Sequence, residues 1–211
     1  MKVPIAREGY PFIIAGLTFT ALAFVFGFKS VGILSALLSL AFIGFFRDPE
    51  RTPPQGDGLI ISPADGRVVA VEKKAGGGLT GGGETKISIF MSPLDVHVNR
   101  SPVQGQVAAR VYSPGKFLAA YKDTASVANE QNALAIRDRE GRMLRFVQIA
   151  GVLARRIVCY VKEGDSVALG QRIGVIMFGS RVDVFLPPSA AVEVAQGARV
   201  TGGRTIIGRF A

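Results

Sequence analysis

The chain of 211 residues is long enough for one ordinary domain with an accessory segment, or for two small domains. Its 48% apolar and 19% charged residues exclude a disordered or collagen-like chain. The net charge of +9 points to anionic partners, phospholipid surfaces or nucleic acid, while a single cysteine, Cys159, and a single histidine, His97, exclude an internal disulfide and any Cys-cluster or multi-histidine metal site.

The mean hydropathy of +0.33 is concentrated at the start of the chain. Residues 11–28 and 31–46 are two apolar runs of 18 and 16 residues, parted by Lys29 and Ser30. Each approaches the span of about 20 residues that crosses a bilayer as a helix. The expectation is a membrane-associated helical hairpin over 1–46, as two short spans or one re-entrant pair. Lys2 and Arg7 before it and Arg47 and Arg51 after it favour both ends on the cytoplasmic side of the cell membrane, although Lys29 at the turn runs against this. A secretory signal fits less well, because the run starts late, lacks a clear small-x-small cleavage site and is followed at once by a second run. A buried hairpin in a soluble core would need the polar face these runs lack. Residues 47–55, with Asp48-Pro49-Glu50-Arg51-Thr52-Pro53-Pro54, form a proline-rich linker that no helix can continue.

From 56 to 211 the pattern changes to short β-branched runs between glycines and prolines, at 66–71, 86–90, 156–161 and 172–177. Only 116–123 and 125–128 read as helical or turn-like. Ser62-Pro63-Ala64-Asp65-Gly66-Arg67-Val68 is echoed by Ser101-Pro102-Val103-Gln104-Gly105-Gln106-Val107, an S-P-x-x-G-x-V unit followed by a strand. Val161-Lys162-Glu163-Gly164-Asp165-Ser166-Val167, followed by Gly170, resembles the turns of lipoyl-type domains. The fold expected is mainly β, a duplicated barrel-sandwich-hybrid-like β domain preceded by the apolar helical hairpin. Turns of these kinds also occur in unrelated β proteins. The glycine-rich stretch 76–83 reads as a mobile surface loop and lacks the Gly-Lys-Ser/Thr ending of a phosphate-binding loop.

Three places could carry chemistry: Asp65 in its Pro-Ala-Asp-Gly turn, His97 in Met91-Ser92-Pro93-Leu94-Asp95-Val96-His97-Val98-Asn99-Arg100, and Ser180 in Phe178-Gly179-Ser180-Arg181-Val182-Asp183. Singly, each has a bland explanation: an Asx turn, a satisfied strand histidine and a hairpin corner. With Phe45-Phe46-Arg47-Asp48-Pro49 and Asn129-Glu130-Gln131-Asn132, however, they stand in the order and spacing of a known family. Over nearly its whole length the chain resembles the short-form phosphatidylserine decarboxylases.

The resemblance implies a proenzyme that cuts itself between Gly179 and Ser180. Ser180 would then become a pyruvoyl group, a covalent, self-generated cofactor that draws off the electrons left when carbon dioxide departs. His97 is implied as the base, and later the proton donor, with Asp65 as the carboxylate that orients it. Fragments 1–179 and 180–211 would stay packed together, the substrate would be phosphatidylserine, and the product phosphatidylethanolamine. No metal is implied. The chain departs from longer members at Arg100, where they carry a second histidine; Arg100 is a candidate partner for the substrate carboxylate or phosphate.

Arg137, Arg139, Arg142, Arg145, Arg155 and Arg156 outnumber Asp138 and Glu140, so the segment is a candidate face for anionic membrane lipids, or else a solvated hairpin. Nucleic acid is disfavoured, with no recognised motif and no tryptophan. Two rivals remain. A related serine phospholipid, such as an ether-lipid analogue, would use the same chemistry. A membrane-tethered lipoyl-like module would need a lysine at a hairpin tip, where Phe178-Gly179-Ser180-Arg181 stands.

Overall fold

A computed structural model of the chain describes residues 4–74, 83–118, 128–151, 156–177 and 180–211. Gly179, most of the glycine-rich stretch 76–83, most of the stretches read as helical over 116–123 and 125–128, and Arg155 lie outside the described residues. The chain divides into two compact units, Met1–Glu50 and Arg51–Ala211.

In the first unit, a 3-10 turn (Arg7–Gly9) leads into α1 (Tyr10–Val25), with Pro11 in its first turn, where no backbone donor is needed. Gly27, at φ 81°, turns the chain into α2 (Lys29–Phe45). Large apolar side chains such as Ile14, Phe19 and Leu34 stand exposed, so neither helix has a polar face. The seam between the helices is made of small residues. Thr20 Oγ1 donates to the Gly16 carbonyl at 2.8 Å and lies 2.9 Å from Ser35 Oγ, from whose hydroxyl it can accept, and a Cβ on Gly16 would lie 2.5 Å from Ser39 Oγ. Close backbone approach with hydroxyl bonds across it is how helices associate where hydrophobicity supplies no drive. The segment Arg7–Val25 is long and apolar enough to cross a membrane, and α2 is shorter.

The second unit is mainly β. Its strands are β1 (Leu59–Ile61), β2 (Gly66–Lys74), β3 (Glu84–Met91), β4 (Val98–Arg100) and β5 (Gly105–Ser113). They continue with β6 (Gln131–Arg137), β7 (Met143–Ile149), β8 (Ile157–Cys159), β9 (Ser166–Val167) and β10 (Arg172–Ile176). The last four are β11 (Ser180–Leu186), β12 (Ala190–Val192), β13 (Arg199–Val200) and β14 (Ile206–Phe210). Eight of them form one antiparallel sheet in the order β13-β2-β3-β11-β7-β6-β5-β9. Among the described residues, the other strands form two three-stranded sheets, β1-β14-β12 and β4-β10-β8. Alternate residues of β3, β11, β7 and β6, among them Ile87, Ile89, Val182, Val184, Phe146 and Leu134, fill the apolar core.

The two S-P-x-x-G-x-V phrases adopt the same local structure. Ser62 Oγ donates to the Ala64 carbonyl and Ser101 Oγ to the Val103 carbonyl, each at 2.6 Å. Each phrase runs into a strand with an irregularity just past its valine, at Val68/Ala70 and at Val107/Ala109. Each glycine passes against a neighbouring backbone, since a Cβ on Gly66 would lie 2.1 Å from the Phe90 carbonyl oxygen and one on Gly105 2.2 Å from that of Arg137. The copies also bond reciprocally: Ile61 N–H donates to Pro102 O at 2.9 Å and Arg100 N–H to Pro63 O at 2.8 Å.

On the sheet face opposite the core, Glu72 lies between Lys74 at 2.8 Å and Lys86 at 3.1 Å. The hydrogen bond from Lys74, then that from Lys86, lowers its carboxyl from 4.5 to about 2. Because the folded value lies below the unfolded one, this stabilisation is complete above pH 4.5 and disappears as pH falls toward 2. Glu72→Gln is therefore expected to lower the urea midpoint at neutral pH, with the gap from wild type closing as the medium is acidified through that window.

Candidate active site

Ser180 opens β11, a strand with a partner on each side. It lies opposite Met91 of β3, while Val182 lies opposite Ile89 of β3 and Gln148 of β7. Strand alternation turns Ser180, Val182, Val184 and Leu186 to the core and Arg181 and Asp183 to the other face. The Ser180 side chain is fully buried, its hydroxyl 3.3 Å from Met91 Sδ. On the opposite face Arg181 Nε donates to Asp183 Oδ1 at 2.6 Å and Arg181 Nη2 to Ser88 Oγ at 2.7 Å. A slip of one residue would carry that buried ion pair into hydrocarbon, so the pair and the core fix the register together.

His97 is 1% exposed, and its Nδ1 lies 2.9 Å from the Asp95 main-chain oxygen. A carbonyl only accepts, so Nδ1 carries the hydrogen and Nε2 is the basic nitrogen of the neutral ring. The preceding turn is held firmly: Asp95 Oδ2 accepts from the Ser92 amide at 2.9 Å and hydroxyl at 2.8 Å, and Oδ1 accepts from Arg199 Nη2 at 2.8 Å. The His97 carbonyl accepts from Ile176 N–H at 3.3 Å. Ile176 is the last residue of β10, four positions before Ser180, so the strand that leads to the 179–180 link passes the His97 main chain.

Asp65 is engaged elsewhere. Arg51 grips its carboxylate with both terminal nitrogens, Nη2 to Oδ2 at 2.7 Å and Nη1 to Oδ1, and the Gly202 amide donates to Oδ1 at 2.7 Å. The group on His97 Nδ1 is thus the Asp95 carbonyl, in the place where the sequence suggested the Asp65 carboxylate. Arg100 is 3% exposed, and its Nη1 donates to the Gly170 carbonyl at 3.1 Å. The arginine-rich segment is partly neutralised: Arg142 bonds Asp138 at 2.7 Å and Glu140 at 2.6 Å, and Arg145 bonds Glu84 at 3.0 Å. Among the described residues no cluster of His, Cys, Asp and Glu could hold a metal ion.

Sequence reasoning assigned no role to Met91, Asp95, Asn99 or Gln148. A signal existed for Gln148, a lone amide within the otherwise apolar end of β7, at a position that is fully buried.

A family model described as phosphatidylserine decarboxylase matches residues 38–208. A phosphatidylserine decarboxylase proenzyme of Syntrophus aciditrophicus is 44% identical over 207 residues, covering 98% of this chain and 97% of its own length. The proenzyme of the same description from Symbiobacterium thermophilum is 47% identical over 211 residues, with 100% and 98% covered. That from Nitrosomonas eutropha is 48% identical over 207 residues, with 98% and 95% covered.

The Arg51–Asp65 pair is largely withdrawn from water, with side chains 7% and 16% exposed. Removing one partner strands the other charge, so Arg51→Ala is expected to cost about 3 kcal/mol of unfolding free energy. Urea denaturation of the variant beside wild type measures this.

Proposed function

The chain belongs to the phosphatidylserine decarboxylase family, and we infer that it releases carbon dioxide from the serine headgroup of phosphatidylserine, leaving phosphatidylethanolamine, after cutting its own backbone between Gly179 and Ser180. The observation that carries the self-cutting reading is the position of Ser180: fully buried, on the core face, at the head of a strand bonded on both sides.

In the cut, Ser180 Oγ attacks the Gly179 carbonyl carbon while its proton passes to His97 Nε2. The peptide C–N bond breaks as the Ser180 nitrogen takes up a proton, leaving an ester. Loss of the Ser180 α-proton then expels the Gly179 carboxylate and leaves a dehydroalanine residue. Water enters, ammonia leaves, and a pyruvoyl group caps β11. The surroundings suit so small a keto group: they are buried, and they contain a polarisable sulfur at 3.3 Å and, on the same sulfur, the amide of Asn99 at 3.7 Å. That group supplies an electrophile for the serine amine and a sink for the electron pair freed with carbon dioxide.

The chain's own residues do the rest. His97, oriented by the Asp95 carbonyl, returns a proton to the α-carbon after decarboxylation. Asp65 supports the site by tying Arg51 to the turn at Gly202. Arg100 faces a substrate carboxylate or phosphate as part of the buried wall, with its Gly170 bond fixing the guanidinium. After cutting, 180–211 stays bound, because β11 pairs with β3 and β7, β13 with β2, and β14 with β1. The apolar helices support residence in the cell membrane, the flanking Lys2, Arg7 and Arg47 support a cytoplasmic catalytic unit, and anionic lipids are its surroundings.

Intact-mass spectrometry of the purified protein is expected to give fragments 1–179 and 180–211, the smaller blocked at its amino end and reactive toward carbonyl reagents. Both should elute together under native conditions. Ser180→Ala should remain one chain with no turnover, and Ser180→Cys should cut slowly through the thiol. An active wild-type sample consisting of one unbroken chain would overturn the reading.

A further inference from the structure

One row of the eight-stranded sheet runs through seven strands in register. Arg199 of β13 lies opposite Arg67 of β2, Arg67 opposite Phe90 of β3, and Phe90 opposite Arg181 of β11. Arg181 is matched by Ile149 of β7, Ile149 by Gln131 of β6, and Gln131 by Ser113 of β5. Ser180 stands one residue beyond this row, so the row marks the end of the sheet that carries the site. Among the described residues of the second unit, the large hydrophobic side chains that stand exposed are Leu94, Val111, Tyr112, Phe117 and Leu118. All of them are at that end. Val111 and Tyr112 come just before Ser113 in β5. Leu118 is tied to the Asn129 side chain, just before β6, by its amide and its carbonyl, each at 2.8 Å. Leu94 follows Met91 by three residues and is 83% exposed, beside an exposed Pro93, on the turn where Asp95 bonds Ser92 and Arg199.

We propose that this end of the sheet seats on the surface of an anionic membrane, with Leu94 and the stretch 111–118 entering the lipid. The inference takes its lipid substrate from the reading above. Apolar residues exposed singly are ordinary, but a group of them gathered at one end of a sheet, around the site, is an interaction surface. The charges beside it complement an anionic leaflet. Lys116 and Arg156 are exposed, as is most of the Arg199 side chain, and the Arg156 carbonyl accepts from Met177 N–H, three residues before Ser180, at 3.2 Å. The acids nearby, Asp95 and Glu130, are buried. Tyrosine is itself enriched where membrane meets water.

A bilayer also suits what the site must receive. Each methylene of a diacyl lipid drawn into water adds to the cost, so the chains stay in the membrane when the reacting group comes to the headgroup. The arginine-rich hairpin after Arg137 is at the other end of the sheet, since β7 runs from Met143 to Ile149, about 20 Å by the rise of a strand. Anionic lipid is therefore met by the Ser180 end and not by that hairpin.

The sequence contains no tryptophan, so a single introduced one reports without background. Leu94→Trp, Tyr112→Trp and Arg139→Trp of the full chain, each at an exposed position, are placed in phosphatidylcholine–phosphatidylglycerol vesicles with and without bromine on the acyl chains. Bromine should quench the emission of Leu94→Trp and Tyr112→Trp and leave that of Arg139→Trp, in the hairpin, unchanged. All three carry the same helical pair, so insertion of that pair alone cannot produce the difference. Unquenched emission at 94 and 112, or quenching at 139 in their place, overturns the proposal. Emission at 94 and 112 that shifts with protein concentration and not with bromine marks a contact between copies and also overturns it. Should Tyr112→Trp fail to fold, Leu94→Trp, at the more exposed position, decides alone. A chain quenched in the expected pattern that leaves phosphatidylserine unchanged keeps the membrane surface and removes the substrate reading.

Discussion

The register of β11 between β3 and β7 is the constraint on which the site depends. A strand has two faces, and a shift of one residue exchanges them, so the proposed chemistry requires that Ser180, and not Arg181, look into the core. Both faces enforce this. Inside, Val182, Val184 and Leu186 have no other place to be dry; outside, Arg181 donates to Ser88 of β3, a bond that a slipped strand could not make. Under the proposed cut, one peptide bond at the head of this central strand would go, and the hydrogen bonds of β11 to two neighbours would stay in place.

Around that strand the duplicated turn provides the frame. Each serine hydroxyl closes its own turn, each glycine lets the backbone pass close to a neighbouring carbonyl, and the copies are tied to each other by Ile61 to Pro102 and Arg100 to Pro63. Asp65 and Arg100, picked out by motif alone, both lie along this tie. Asp65 is anchored to Arg51 and Gly202 beside one copy, and Arg100 to Gly170 beside the other. Their side chains therefore brace the two copies of the turn against their neighbours.

The elements legible in the sequence were those written in contiguous residues. Two apolar runs around Lys29 specify the helical pair, the repeated S-P-x-x-G-x-V specifies two matching strand entries, and the short motifs single out Ser180 and His97 as candidates. What could not be read was anything that depends on which strands become neighbours. His97 takes the main-chain oxygen of Asp95, two residues away, because the Asp95 carboxylate is already committed to Ser92 and Arg199. A main-chain acceptor leaves no trace in residue identity. A line of side-chain hydrogen bonds joins residues from positions 99, 110, 132 and 148, and only the antiparallel pairing of β5, β6 and β7 with β4 close by turns them toward one another.

The choice of side chains at the Ser180 end also follows from the chemistry. Under the proposed self-processing, a ketone at position 180 would not tolerate a neighbouring lysine, whose amine would condense with it before that of the substrate. Lys86, the lysine of β3, lies on the opposite face of the sheet, paired with Glu72. Thioethers do not condense with ketones, and an amide nitrogen is too weakly nucleophilic to do so, yet an amide N–H still donates a hydrogen bond. Met91 and Asn99 therefore stand at the Ser180 end without adding a competing nucleophile or a charge of their own. Neutral donors have a limited reach in water, where their dipoles are screened. Around the fully buried Ser180 side chain they are screened far less, so the apolar core that fixes the strand register also strengthens the polar contacts beside it.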